Sequence, residues 1–135
     1  MSDQASSFLM SIDVKKCRFR IHRPILEQLG NPKRVQFLFN EERYGIMIMK
    51  IGKNVPTSQS LKVSFDKPGK DGSFELYSKA LMTEMQRWDK RLEIKGLYHI
   101  TGHVLPDLDA ICFPFSTLRQ VDYLSQKGKQ HDTFD

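Results

Sequence analysis

The fold is decided by residues 17–51, which read CRFRIHRPILEQLGNPKRVQFLFNEERYGIMIMKI. The first residues alternate between apolar and basic side chains, as a half-buried strand requires. A short helix follows, because proline suits a first helical turn and the apolar stripe ends at Gly30. Two apolar strands around a polar turn at residues 40–43 then indicate a hairpin. The order strand, helix, strand, strand, a β-α-β-β unit, is therefore predicted for residues 14–51.

A second unit with the same order of elements is predicted for residues 73–115. The segment FELYSKAL, at residues 74–81, aligns with FRIHRPIL, at residues 19–26, and a second hairpin follows. The second unit carries a longer helix and loop at residues 82–96. Such internal similarity suggests that each unit covers an apolar face that the other cannot bury alone. The predicted fold class is α+β, a small mostly-β barrel made from two β-α-β-β repeats.

The remaining segments are predicted to flank and connect the two units within a single compact domain. Residues 1–13 are Ser-rich and polar around the triplet FLM, so they are predicted to be a flexible N-terminal arm that docks through the triplet. Residues 52–72 are rich in Lys, Gly, Pro and Ser and are predicted to be a linker, in which LKVSF suggests an edge strand. Residues 116–135 are predicted to be a C-terminal tail, with one short helix at residues 117–124.

The composition limits the classes of protein to which the chain can belong. The 135 residues include 21 Lys and Arg against 16 Asp and Glu, so the formal net charge is +5. Hydrophobic residues make up 39% and charged residues 27%, a balance typical of a folded globular protein. The positive charge permits contact with nucleic acid or a membrane surface but does not require either. The distribution of the charge therefore matters more than its sum.

The cysteines and the N-terminal residues indicate a cytoplasmic protein. Cys17 and Cys112 each lie in an apolar or alternating stretch, which is typical of reduced, buried thiols and not of a disulfide framework. The N-terminal residues lack the basic start and long apolar run of a signal peptide. No stretch approaches the roughly 18 apolar residues of a membrane span, so no membrane partner is expected.

A row of basic side chains is the strongest functional feature of the sequence. Alternate positions of a strand lie about 6.6 Å apart, close to the spacing of phosphates along a nucleic-acid strand. Such a row can neutralise several phosphates and release their counterions, and arginine can bond a phosphate or a guanine edge bidentately. The other interpretation is a solvated strand face whose charge prevents edge pairing. The candidate nucleic-acid-binding residues are Lys15, Lys16, Arg18, Arg20, Arg23, Lys33 and Arg34.

The sequence contains no pattern that indicates catalysis or a metal site. It lacks the GxSxG, Cys-His and HExxH signatures of common hydrolases. His99 and His103 fall in a predicted strand, where they project to one face roughly 13 Å apart and cannot share an ion. Cys17 and His22 fall on opposite faces of their strand. No catalytic residue, metal ligand or cofactor is therefore predicted, and the chain is not expected to be an enzyme.

The first unit resembles the AbrB/SpoVT-like swapped-hairpin domain, and a tandem of two such units is also similar to the MraZ group. The residues that carry the resemblance are Arg18, Ile21, Leu26, Leu29, Gly30, Val35, Ile46 and Ile48. The resemblance implies a small β-barrel built by interleaving two hairpins, usually within a dimer. It also implies that DNA is bound through basic residues on an exposed strand and at the start of the short helix.

The sequence departs from this family at positions that bear on function. Where family members often place arginines in the short helix, this chain has Leu26 and Glu27, and the family's Ile-Pro step is replaced by Ile21-His22. The basic row is not repeated at residues 73–77 of the second unit. Two functions are therefore expected as alternatives. The first is a DNA-binding, transcriptional regulator-like protein with its basic strand face on the phosphates. The second is a protein-binding module, antitoxin-like or a mobile-element accessory protein, without nucleic acid. A homodimer is left open in both cases.

Overall fold

The computed structural model describes residues 8–50 and 72–121 together with the backbone of residues 60–64. The strands in these ranges are β1 (Phe8–Asp13), β2 (Arg18–Ile21), β3 (Arg34–Asn40), β4 (Gly45–Lys50), β5 (Ser60–Ser64), β6 (Phe74–Tyr77), β7 (Leu97–Leu105), β8 (Ala110–Pro114) and β9 (Arg119–Val121). The helices are α1 (Arg23–Gln28) and α2 (Lys79–Trp88), with 3₁₀ helices at Lys90–Glu93, Pro106–Leu108 and Phe115–Thr117. The chain is therefore a small, mostly-β protein of the α+β class, as the sequence predicts.

The strands form one antiparallel sheet that curls into a half-barrel. Their order across the sheet is β5-β3-β4-β8-β7-β1-β2-β6, and β9 also pairs with β7. Strand β7 joins the two halves of the sheet, since residues 97–102 pair with β1 and residues 103–105 pair with β8. Strand β2 is an interior strand, with β1 on one side and β6 on the other. The order strand, helix, strand, strand occurs twice, in β2-α1-β3-β4 and in β6-α2-β7-β8.

The hydrophobic core takes alternate residues of the strands and one side of each helix. In β2, Phe19 and Ile21 are fully buried, while the arginines that alternate with them are partly exposed. Helix α2 begins at an N-cap, where the Ser78 hydroxyl accepts a hydrogen bond of 3.0 Å from the amide of Leu81. The helices contribute the buried side chains of Ile25, Leu26, Leu81, Met82 and Met85. Neither helix of the described ranges is long and apolar enough to cross a membrane.

Residues 8–13 do not belong to a flexible arm, and that part of the prediction is wrong. They form strand β1, which lies between β2 and β7 in the sheet. Its alternate residues Phe8, Met10 and Ile12 are buried. The residues that alternate with them are Leu9, Ser11 and Asp13, and the two polar ones suit either a strand with one buried face or an arm. Residues 1–7 lie outside the described residues.

The predicted tail and the predicted linker also contain strands. Residues 119–121 form β9 and pair with β7, where the sequence predicted a helix at residues 117–124. The Thr117 hydroxyl accepts a hydrogen bond from the backbone N of Thr101 and donates one to its carbonyl oxygen, both at 3.0 Å. These bonds connect the residues just before β9 to β7. Strand β5 lies at the edge of the sheet, as LKVSF suggested. The rest of these segments, residues 52–59, 65–71 and 122–135, lies outside the described residues.

Asp89 and Arg91 form an ion pair just after the end of α2. The carboxylate of buried Asp89 accepts hydrogen bonds from Arg91 Nη2 at 2.6 Å and from Arg91 Nε at 3.0 Å. The same guanidinium donates to the carbonyl oxygens of Phe115 and Leu118, at 3.0 Å and 2.9 Å. It therefore links α2 to the connection between β8 and β9. The hydrogen bond from Arg91 lowers the pKa of Asp89 below its ordinary value, and it outweighs the opposing effect of burial.

Replacing Asp89 with asparagine is expected to lower the free energy of unfolding by about 2 kcal/mol, because charge-assisted hydrogen bonds are lost. The pKa of Asp89 is lower in the folded than in the unfolded state, so its contribution is complete above the unfolded pKa and is lost as the pH falls through the folded pKa. Urea denaturation from about pH 6 down to about pH 3 checks this. The difference between the wild type and Asp89→Asn should shrink toward the acid end. A difference that stays constant would contradict the role of the ion pair.

Candidate nucleic-acid interface

The turn between β1 and β2 is anchored at both ends by backbone hydrogen bonds. Val14 N donates to Gly96 O at 3.1 Å, and Ser78 N donates to Cys17 O at 2.9 Å. Cys17 leads into β2 in the left-handed region, with a φ of 52°. The shape of the turn is therefore set by its contacts with the start of β7 and the start of α2. The exposed residues between the two anchors are Lys15 and Lys16.

The same anchors bring two further lysines to this turn. Lys79 follows Ser78 as the first residue of α2, and Lys95 precedes Gly96 on the approach to β7. Both lysines are exposed. The lysine end of the sheet is defined here as Lys15, Lys16, Lys79 and Lys95. Sequence reasoning missed the last two, because no periodicity or motif relates them to the turn and only the backbone pairing brings them there.

The predicted arginines of β2 share one face of the strand and lie among carboxylates. Arg18 Nη2 lies 3.4 Å from Asp13 Oδ2, with 30% of the arginine and 15% of the aspartate side chain exposed. Arg20 stands opposite Glu75 in the ladder between β2 and β6. Because β2 is an interior strand, this row does not lie on an edge of the sheet. The positive charge of the face is therefore partly offset by Asp13 and Glu75.

The other predicted cations lie on α1 and at the start of β3. Arg23 begins α1, and its Nε donates to Glu27 Oε2 at 2.8 Å in a solvent-exposed pair. Exposed pairs of this kind contribute little to stability. Lys33 and Arg34 are exposed, and Arg34 stands opposite Ser64 of β5. Four strands separate β3 from β2 in the sheet order, so the predicted cations do not form one continuous row along the sheet.

Four aromatic rings pack together where the turn between β3 and β4 meets the end of α2, three of them stacked and that of Tyr44 tilted. The ring centroids of Phe39 and Trp88 are 5.3 Å apart, and those of Tyr44 and Phe115 are 5.4 Å apart. The Tyr44 hydroxyl donates a hydrogen bond to the carbonyl oxygen of Trp88. Phe115 is fully buried, whereas Tyr44 is 48% exposed. This aromatic cluster holds the turn against the helix and presents one tyrosine to solvent.

Burial shifts the pKa values of several titratable side chains among the described residues. Within the part of the chain that the structure describes, no three His, Cys, Asp or Glu side chains come together as a metal site needs. Burial, together with the charge of Arg119, lowers the pKa of His99, and burial raises the pKa of Cys112. Both shifts favour the neutral side chain. A surface pocket of about 220 Å³ has Lys50 and Asp109 in its lining, one charge of each sign.

A scan against protein-family models and searches of curated proteins and of solved structures find no match to this chain. The resemblance to the AbrB/SpoVT-like domain therefore rests on the residues of the first unit.

Proposed function

We propose that the chain is a DNA-binding, transcriptional regulator-like protein of the AbrB/SpoVT-like type, with two swapped-hairpin units in tandem. The observation that carries this proposal is the lysine end, where exposed cations from three separate segments meet around one anchored turn. Clustered Lys and Arg on one part of a basic domain are the electrostatic pattern of phosphate binding. Arg18 lies beside the turn and adds a guanidinium that can bond a phosphate or a base edge.

The geometry of the two hairpins supports the tandem. The β3–β4 and β7–β8 turns both end in a residue with positive φ, 45° for Tyr44 and 49° for Asp109. In both turns the amide of that residue donates to the carbonyl oxygen three positions earlier, at 3.1 Å and 3.3 Å. The hairpins pair with each other through β4 and β8, and the preceding strands β2 and β6 pair likewise. Reciprocal pairing of this kind is what two interleaved units would produce.

The lysine end is expected to supply most of the phosphate contact, and the arginines of β2 less. Arg18 is held by Asp13, and Arg20 lies opposite Glu75, so a phosphate there has to compete with carboxylates. A lysine ammonium on a flexible stem adapts readily to a phosphate as a point charge. The proposed DNA-binding residues are the lysine end with Arg18, and in support Arg20, Arg23, Lys33 and Arg34.

Removing charge from the lysine end should weaken DNA binding and flatten its salt dependence. Each phosphate contact contributes roughly 0.9 to the slope of log affinity against log salt, so the double variant Lys79→Gln/Lys95→Gln should lose a slope of about 2. Fluorescence anisotropy of a labelled DNA duplex over a salt series measures both affinity and slope. We expect a loss of affinity of about tenfold at low salt.

The matched control removes the same charge elsewhere. Arg43 and Arg87 are exposed. In the sequence each directly precedes a residue of the aromatic cluster, Tyr44 and Trp88, and neither belongs to the turn between β1 and β2. The variant Arg43→Gln/Arg87→Gln should keep the wild-type slope. Equal slopes of log affinity against log salt in the two double variants would exclude the lysine end as the binding site but would not exclude DNA binding by the chain. A wild-type chain that binds no duplex even at low salt would contradict the proposed function itself.

The second candidate function is a protein-binding module, antitoxin-like or a mobile-element accessory protein, on the same scaffold. It is favoured by the pairing of Glu27 with Arg23 and the burial of Leu26, which leave the short helix without the basic surface that the family resemblance implies. The exposed ring of Tyr44 is also of a type that protein interfaces favour. Purification with a stoichiometric protein and without nucleic-acid absorbance would support this candidate. A chain that purifies alone and binds duplex DNA would exclude it.

A further inference from the structure

Two large apolar side chains of the described residues are exposed beside the anchors of the turn between β1 and β2. Tyr77 is 60% exposed and directly precedes Ser78, whose amide anchors the end of the turn. Ile94 is 62% exposed and lies two positions before Gly96, whose carbonyl oxygen anchors the start of the turn. The basic turn is therefore accompanied by apolar as well as cationic side chains.

The ladder between β2 and β6 sets the ring of Tyr77 beside a guanidinium. Tyr77 stands directly opposite Arg18. Directly opposed residues of an antiparallel pair lie on the same face of the sheet, with Cβ atoms about 4.5–5.5 Å apart. Tyr77 also lies two residues before Lys79 of the lysine end. An accessible aromatic ring therefore adjoins the cations that the proposed function uses.

We infer that this site takes an unpaired nucleotide, whose base stacks on the ring of Tyr77 while the lysine end and Arg18 bind the neighbouring phosphates. The inference rests on the proposed function and names the substrate of the same site as a single-stranded segment of nucleic acid. Every base has a π face, so aromatic rings beside basic grooves bind single strands of many sequences. Within a duplex the faces of the bases are stacked on one another, so the ring gains a partner only from an unpaired base.

The carboxylates of this face favour a base over a phosphate at the ring. Glu75 Oε1 lies 3.5 Å from the Tyr77 hydroxyl oxygen, and Asp13 Oδ2 lies 3.4 Å from Arg18 Nη2. A carboxylate repels a phosphate, whereas a base without net charge is not repelled. The ring therefore suits the base of a nucleotide, and the exposed lysines suit its phosphates.

An anionic lipid surface fits the same residues less well. Exposed apolar side chains beside lysines are also typical of proteins that lie on such surfaces. A membrane is broad, however, and would bring its headgroups against the exposed carboxylate of Glu75 on the same face as Tyr77. A single strand is only one backbone wide and can follow the lysines without covering the carboxylates.

Oligonucleotides with and without bases test the inference on the native chain. A labelled thymidine oligomer of about 12 nucleotides, within the range of single-strand site sizes, is compared with an abasic oligomer of equal length. Both carry the same phosphates, so fluorescence anisotropy should give them the same slope of log affinity against log salt. The thymidine oligomer should bind at least about fivefold more tightly, as expected for one stacked base. Equal affinities for the two oligomers would overturn the inference.

A duplex and a uridine oligomer complete the comparison. If the duplex binds but the thymidine and abasic oligomers bind equally, the inference fails and the proposed function stands. If neither the duplex nor any oligomer binds, both fail. A preference for the uridine over the thymidine oligomer would identify RNA as the source of the unpaired base, and the opposite preference would identify DNA. Binding to phosphatidylserine vesicles without discrimination against the abasic oligomer would overturn the inference in favour of a lipid surface.

Substitution of the ring assigns the effect to Tyr77. Tyr77→Ala should lose at least about fivefold in affinity for the thymidine oligomer, but not for the abasic oligomer or the duplex. Tyr77→Phe keeps the ring and should restore binding of the thymidine oligomer. Leu108→Ala removes a side chain that is 45% exposed in the turn between β7 and β8, and it should change none of the three affinities. A loss shared by all three ligands in Tyr77→Ala, or an equal loss in Tyr77→Phe, would overturn the inference.

Discussion

Replacing Phe115 with alanine is expected to lower the free energy of unfolding by about 4 kcal/mol. The ring is fully buried and packs against Trp88 and Tyr44, with centroid distances of 6.1 Å and 5.4 Å. The substitution leaves a cavity where the β3–β4 turn, the end of α2 and the connection after β8 meet. Since a domain of this size is stable by only about 5–15 kcal/mol, the variant should be close to unfolding.

Urea denaturation followed by tryptophan fluorescence is the direct measurement, because Trp88 is the single tryptophan and belongs to the aromatic cluster. Circular dichroism should give the same midpoint and does not depend on the surroundings of that ring. Phe115→Leu keeps most of the apolar volume and should lose only about 1.5 kcal/mol. A loss below about 1 kcal/mol in Phe115→Ala would be typical of an unremarkable site and would contradict the packed cluster.

Replacing Gly102 with alanine is expected to destabilise the fold by about 3 kcal/mol through overpacking. A Cβ at this position would lie 2.8 Å from the carbonyl oxygen of Cys112 and 2.8 Å from the ring of Phe113. The first of these atoms belongs to the backbone of β8, which is paired with β4 on one side and β7 on the other. No rotamer change can therefore relieve the clash, and Gly102→Val should be worse than alanine.

The control for this substitution is the next residue of the same strand. His103 is exposed, so His103→Ala should change the free energy of unfolding by no more than about 0.5 kcal/mol. Urea denaturation of the two variants beside the wild type gives the comparison. If Gly102→Ala were as stable as His103→Ala, strands β7 and β8 would not approach as closely as the structure has them.

The elements of the first unit follow from the sequence because their signals are local. Alternation places Phe19 and Ile21 in the core without knowledge of their neighbours. The apolar stripe of α1 ends at Gly30, which has a φ of 83° as expected for a residue after a helix. Strand β1 was missed because its pattern is short and its polar residues resemble those of a terminal arm.

The candidate site, like the fold, could be predicted only where its signals are local in the sequence. The sequence names Lys15 and Lys16 as cations, and both are exposed in the structure. It treats Arg18 as part of a free basic row, whereas the ladder places Asp13 directly opposite that arginine. The pairing of carboxylates with guanidinium groups depends on strand register. The register between strands that are distant in the chain cannot be read from a single sequence.

The sequence by itself determined the class of the protein, the order of elements in each unit and the presence of a row of basic side chains. These depend on side-chain periodicity and on residues with particular backbone preferences, which act over a few neighbouring positions. Only the tertiary structure decided that Lys79 and Lys95 join the turn and that β1 is an interior strand. Those facts come from hydrogen-bonded pairing between segments that are far apart in the chain. The backbone groups that pair are the same in every residue, so only the packing of the whole sheet selects the register.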